Sequence, residues 1–126
     1  MSPKHQLGDL QLAIMGVLWD LGKATASEVH AALLEERGLA VTTIKTMLRK
    51  MEDRGIVAHR SQGRQFIYRA RVKETDVRSG MVGDLVQRLF LGDSTALVNH
   101  LIDAGEIDAD ELNELRTRLA SKRGRK

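Results

Sequence analysis

The 126-residue chain contains no cysteine, one proline (Pro3) and four aromatic residues, Trp19, Phe66, Tyr68 and Phe90. Without cysteine there are no disulfides, thiolate metal sites or cysteine nucleophiles, a pattern that fits a cytoplasmic protein. With proline nearly absent and helix formers abundant, a mostly helical fold is expected. Long uncharged runs are missing too. Asp9 and Asp20 bracket the N-terminal hydrophobic stretch, which predicts no signal peptide, no membrane span and no direct membrane association. Catalytic patterns are equally scarce. The four histidines (5, 30, 59, 100) are widely separated, with no His-x-x-x-His pair, no glycine-rich phosphate loop, and nothing that sets a nucleophile beside a base. Glu28 and His30, two apart, would point to different sides of a helix. These absences predict a protein that is not an enzyme and that uses no metal or other cofactor.

The length suits one compact domain, or a small domain plus an appendage that needs a partner. Charge is spread unevenly along it. From Val41 to Val72 there are eight Lys/Arg against two acids, Glu52 and Asp53, a net +6. The remaining residues carry twelve basic and fifteen acidic groups, a net −3. A basic block inside an otherwise acidic chain is a footprint for a polyanion.

The basic block opens with the most informative segment. Ile44, Met47, Leu48 and Met51 fall at i, i+3, i+4 and i+7, one apolar stripe of a helix. The opposite face carries Thr42, Thr43, Lys45, Thr46, Arg49 and Lys50, with no acid among them. Threonines can contact thymine methyls or phosphates, and Arg and Lys can donate to guanine O6 and N7. Taken alone, the face could equally be one that simply meets water.

Its neighbours decide between the two. A first helix is expected from about Gly8 to Leu21, with Leu10, Ala13, Ile14, Val17, Leu18 and Leu21 as its buried stripe, Trp19 beside it and Gly22 as its stop. Thr25 and Glu28 match a capping box opening a second helix that ends near Gly38. Leu39-Ala40-Val41 then leads into the basic helix, which stops at Gly55, so the pair forms a helix-turn-helix. After Gly55 the period changes. Residues 56–60 and 65–69 read as strands around a Ser61-Gln62-Gly63-Arg64 turn. A basic hairpin directly after such a helix is the wing of a winged helix, with Arg60 and Arg64 reaching toward phosphates or a minor groove. A merely solubilising hairpin is the competing reading, and the order of helix, hairpin and charge favours the wing. Phe66 and Tyr68 are expected to pack back onto the helices rather than against bases.

From about Lys73 the composition shifts. Val82, Leu85, Val86, Leu89 and Phe90 form an apolar stripe that breaks at Gly92-Asp93. Ser94 is expected to cap a helix containing Leu97, Val98, Leu101 and Ile102. Asp108 is expected to cap a last one, with Glu111 as its partner and Leu112, Leu115 and Leu119 as its stripe. Residues 122–126 read as a frayed basic tail. Three short amphipathic helices have too little chain to make a core alone, and dimerisation would cover them. The expected organisation is a winged-helix DNA-binding domain over 1–72 and a helical dimerisation region over 73–126.

Several segments in this order resemble the penicillinase-repressor family, the BlaI/MecI/CopY group. They are Leu7-Gly8-Asp9-Leu10 with Ile14-Met15-Gly16-Val17-Leu18-Trp19, residues 40–48, Arg54-Gly55-Ile56-Val57, residues 63–68, and Asp110-Glu111-Leu112-Asn113-Glu114-Leu115. The resemblance implies a homodimeric repressor that binds an inverted-repeat operator, often built on TACA/TGTA half-sites, in double-stranded DNA. It implies base reading by Thr42, Thr43, Lys45, Thr46 and Arg49 and phosphate contacts by Lys50, Arg60 and Arg64. Leu85, Val86, Leu89, Phe90, Leu97, Leu101, Leu112 and Leu115 would form the dimer contacts. Antibiotic-resistance members are inactivated when a membrane-bound sensor metalloprotease triggers cleavage at an Asn-Phe bond. Here Asn99-His100 occupies a similar place with histidine for phenylalanine, and an Asn-His pair on the wet face of a helix is the competing reading. Copper-responsive members carry a C-terminal cysteine cluster that this chain lacks.

Two other functions fit parts of the pattern. A winged-helix module that binds only proteins has no need of an acid-free face in a +6 segment. A small-molecule-responsive regulator of the multiple-antibiotic-resistance type would place helices before the winged domain as well as after it, whereas here the first helix starts almost at the N-terminus.

Overall fold

The computed structural model describes residues 6–123. The elements in order are α1 (Asp9–Leu21), β1 (Ala24–Thr25), α2 (Ala26–Arg37), α3 (Val41–Asp53), β2 (Val57–Gln62), β3 (Gln65–Ala70), α4 (Glu74–Phe90), α5 (Ser94–Asp103) and α6 (Ala109–Arg123). The chain divides into two compact units, residues 1–82 and 83–126, with the division inside α4. No helix among the described residues is long and apolar enough to cross a membrane.

The first unit is a winged helix-turn-helix. Its core gathers Ile14, Met15 and Leu18 of α1, Val29 and Leu33 of α2, Ile44, Leu48 and Met51 of α3, and Ile56, Val57, Tyr68 and Val77. The expected stripe of α1 faces the core through Leu10, Ala13, Ile14, Val17 and Leu18, with one addition and one exception. Met15 is fully buried whereas Leu21, at the last position before the Gly22 stop, is 53% exposed. Leu21 lies at the end of the helix and lines an open groove with Ala13, Val17 and Leu33 rather than entering the core. Trp19 sits beside the stripe, half-buried, and its Nε1–H donates to the Val72 carbonyl at 3.0 Å. That bond ties the end of the hairpin back to α1.

Capping sets where the helices begin. The Thr25 hydroxyl accepts from the Glu28 N–H at 3.1 Å while the Glu28 carboxylate accepts from the Thr25 N–H at 2.8 Å, the reciprocal box that satisfies two orphan donors. Thr25 also belongs to β1, a strand of two residues that the sequence pattern does not reveal because it is too short to show a period. β1 pairs antiparallel with β3, Ala24 opposite Tyr68 and Thr25 opposite Ile67, making a three-stranded sheet in the order β1-β3-β2. Between α2 and α3, Gly38 adopts a left-handed φ of 59°. His30 of α2 then donates through Nε2 to the Leu39 carbonyl at 2.7 Å, pinning the connection that launches α3.

The hairpin is longer and tighter than expected. β2 and β3 pair from Val57–Ala70 to Gln62–Gln65, so the turn proper is Gly63-Arg64, not a four-residue loop. Gly63 takes φ +63° at the first central position, where a two-residue hairpin favours glycine.

α4 begins in the first unit, well before the apolar stripe, at Glu74, with Glu74 and Asp76 in its first turn, where carboxylates complement the helix dipole. Ser94 does not cap α5 but is its first residue. The cap is Asp93, whose carboxylate accepts from the Ala96 N–H at 3.1 Å. Asp108 and Glu111 form the expected reciprocal box at α6, with bonds of 2.8 and 3.1 Å. Of the basic tail, Lys122 and Arg123 continue α6, and 124–126 lie outside the described residues.

Leu48 lies at the centre of the α3 stripe with no exposed surface. Leu48→Ala is therefore expected to lower unfolding free energy by about 2–5 kcal/mol, read as a reduced urea midpoint with unchanged slope.

Candidate nucleic-acid interface

Burial on one side of α3 fixes what the other side presents. Ile44, Leu48 and Met51 are at most 1% exposed, so the helix cannot turn about its axis. Thr42, Thr43, Lys45, Thr46, Arg49 and Lys50 are all exposed. At the helical period of 3.6 they share one arc of the surface. No acid lies between Val41 and Met51.

The hairpin adds to one edge of this arc. Lys45 and Arg49, one turn apart, line an open groove of about 350 Å³ together with Arg64, Gln65, Phe66 and Tyr68 of the hairpin and Thr25, Ala26 and Ser27 at the start of α2. The structure thus brings together three of the eight candidate DNA-contacting residues, Lys45, Arg49 and Arg64, in one groove. Thr42, Thr43, Thr46 and Lys50 are exposed on α3 outside that lining. Arg60 is not part of it either. It lies opposite Ile67 on β3, and the alternation of a strand puts it on the sheet face away from His59, Tyr68 and Phe66.

Phe66 corrects an expectation. Tyr68 packs into the core at 7% exposure, but Phe66 is 48% exposed and does not pack back onto the helices. Its ring stacks on His59, centroids 4.0 Å apart and planes 17° from parallel. The pairing explains why. His59 faces Tyr68 directly, while Phe66 sits one step further toward the turn, opposite Ser61, beyond the reach of the helical core. His59 is itself held from below. Its Nδ1 lies 2.7 and 2.8 Å from the two Glu52 carboxylate oxygens, so a ring N–H there donates to the last turn of α3. Sequence reasoning missed this Glu52–His59–Phe66 chain, because nothing in the spacing of residues 52, 59 and 66 shows that a hairpin will fold them together.

The electrostatics favour an anion in the groove. Burial first, and the Glu52 carboxylate second, push the Tyr68 phenol above its ordinary 10.0, against the opposing pull of Arg49. The shift holds the phenol more firmly in its neutral form, and no carboxylate is among the residues that line the groove. Glu52 is occupied by His59. One of the eight basic residues of the block is structural. Arg54 donates from Nη1 to Gln11 Oε1 at 3.0 Å and from Nη2 to the Gln6 carbonyl at 2.9 Å, clamping the end of α3 to the start of α1.

In the second unit, the candidate dimer residues differ in exposure. Val86 is buried; Phe90, Leu97, Leu101 and Leu112 are half-buried; Leu85, Leu89 and Leu115 are 41%, 69% and 46% exposed. Leu91, Val98, Ile102 and Leu119 add further exposed apolar surface. Asn99 and His100 lie exposed in the middle of α5, with the His100 ring 6.0 Å from that of Phe90.

A family model described as the penicillinase repressor matches residues 7–121. The penicillinase repressor of Bacillus licheniformis is 26% identical over 126 residues, spanning 100% of this chain and 98% of the relative. The transcriptional regulator BlaI of Mycobacterium tuberculosis (strain ATCC 25618 / H37Rv) is 31% identical over 122 residues, 95% of this chain and 87% of the relative. Among solved structures, the solution structure of the DNA-binding domain of the repressor BlaI superposes with a TM-score of 0.53 at 30% identity, covering 60% of this chain and 93% of that domain.

Arg64 stands at the tip of the hairpin with its side chain exposed. Arg64→Ala is expected to weaken binding to every duplex alike and to reduce the magnitude of the slope of log K against log salt by about one unit. Fluorescence anisotropy at several salt concentrations reads this directly, and an unchanged slope removes Arg64 from the interface.

Proposed function

The chain belongs to the penicillinase-repressor family, and from that premise we propose that it is a homodimeric transcriptional repressor of an inverted-repeat operator. The observation that carries the reading is the outer face of α3, acid-free from Val41 to Met51 and locked outward by Ile44, Leu48 and Met51. An α-helix of this kind fits the major groove of B-form DNA. Thr42, Thr43, Lys45, Thr46 and Arg49 read base edges there, while Lys50 and Arg64 hold phosphates on either side.

One winged unit makes few phosphate contacts. Joining two copies through α4, α5 and α6 makes the second half-site encounter intramolecular and raises affinity without new contacts. It also imposes a two-fold relation that an inverted repeat matches. The apolar surface left open on Leu85, Leu89, Leu115 and Leu119 supports this role for the second unit. Release of DNA then follows from anything that separates the copies. A sensor metalloprotease is the partner the family suggests, with Asn99–His100 as the bond at risk. Because that bond lies inside α5, cleavage requires the helix to open locally.

The primary test is a mobility-shift titration on the DNA immediately upstream of the protein's own gene, with random duplex as competitor, at two salt concentrations. The expected result is a specific shift with two chains per operator; a shift that random duplex abolishes equally would defeat the reading. In the same assay Arg49→Ala is expected to cost about 1–3 kcal/mol on the operator and to relax preference at one position. Equal losses on operator and random duplex would assign Arg49 to a phosphate instead. Leu89→Asp is expected to shift sedimentation from dimer to monomer and to weaken operator binding with it. A dimer that persists would place the interface elsewhere.

A further inference from the structure

Phe66 is unusual within the groove. It is a large apolar ring, 48% exposed, in a lining that also holds Lys45, Arg49 and Arg64. One of its faces is spent on His59, in a near-parallel stack at 4.0 Å. His59 is anchored to Glu52 of α3 at 2.7 Å. The ring is therefore buttressed from behind and open in front, at a fixed place relative to α3.

A DNA strand presents a repeating order of base edge, deoxyribose and phosphate. The cations of the groove suit the first and last of these, since Arg49 lies on the base-facing helix and Arg64 on the hairpin tip. The apolar C–H face of the sugar between them has no use for a cation. It is matched by an apolar ring. We propose that Phe66 is a sequence-independent DNA contact that packs its open face against the deoxyribose between the base engaged by Arg49 and the phosphate engaged by Arg64. The Glu52–His59 pair acts as the positioning element that holds the ring at that register. This rests on the reading of α3 and the hairpin as a duplex-binding surface, and it adds an uncharged contact to a site otherwise built from cations and hydroxyls. A stack that served only to stiffen the hairpin would also explain Phe66 on the wing, so the test must separate the two.

The experiment compares wild type, Phe66→Ala, Phe66→Leu and Arg64→Ala on the upstream operator DNA and on a random-sequence duplex. Anisotropy is read over a series of salt concentrations, with urea midpoints recorded in parallel. Covering the exposed half of one ring predicts a loss of roughly five- to tenfold for Phe66→Ala. The loss should be equal on both DNAs and the salt slope should match wild type, because no counterion is released at an uncharged contact. Phe66→Leu should recover part of the affinity, since leucine keeps apolar bulk against a sugar but, unable to stack on His59, is not held at that register. Affinity of Phe66→Ala within twofold of wild type would overturn the proposal. So would a slope reduced by a full unit, as in Arg64→Ala, because the ring would then only hold the arginine in place. Phe66→Leu binding as weakly as Phe66→Ala would overturn it too, by assigning the ring to the hairpin stack. A wild-type protein that binds every duplex equally defeats operator reading alone and leaves the variant comparison decisive for Phe66. A wild-type protein that binds no duplex defeats both.

Discussion

The winged unit depends on the burial of one stripe of α3. Ile44, Leu48 and Met51 are sealed into the core, and rotating the helix by one residue, about 100°, would drive cations into that core at a prohibitive desolvation cost. The direction of Thr42, Thr46 and Arg49 is therefore decided by residues that never touch the surface. The connections reinforce it. His30 holds the turn before α3 through the Leu39 carbonyl, and Arg54 clamps its end to Gln6 and Gln11 near the start of α1. An element that must present side chains to a rigid partner is held at both ends and along one side.

The same unit manages its charge. The basic block contains two acids, and one of them, Glu52, is hydrogen-bonded to His59 outside the lining of the groove. Placing His59 on the hairpin makes that pairing mechanical as well as electrostatic, because the ring carries Phe66 on its other face. Lys45, Arg49 and Arg64, from two separate elements, then border one groove without a carboxylate among the residues that line it. A groove of this kind concentrates positive potential between its walls.

The second unit follows a different logic. Its helices are well capped, by Asp93 for α5 and by the Asp108–Glu111 box for α6, so local structure is secured without a large core. Leu89, Leu91, Leu115 and Leu119 remain largely open. Local capping with an unfinished apolar surface suits a segment completed by association.

Much of this was legible along the chain because it rests on local rules. The 3.6-residue stripe of α3, the Thr25–Glu28 box, the glycine stop after α1 and the change of period after Gly55 each lie within a few residues, and the family resemblance joined them in order. Ser94 and Asp93 compete within one residue for a cap, which pattern alone cannot settle. The two residues of β1 carry no period at all. Local pattern thus carries the set of elements and the sign of the charge between Val41 and Val72. It takes the packing of the folded chain to spend Arg54 inside the fold, to put Arg64 but not Arg60 on the groove, and to join Glu52, His59 and Phe66 in one chain. Those outcomes depend on strand register and on how the hairpin lies against α3. Such contacts join residues 7 to 48 positions apart on or beside different elements, where neither helical nor strand periodicity carries from one partner to the other.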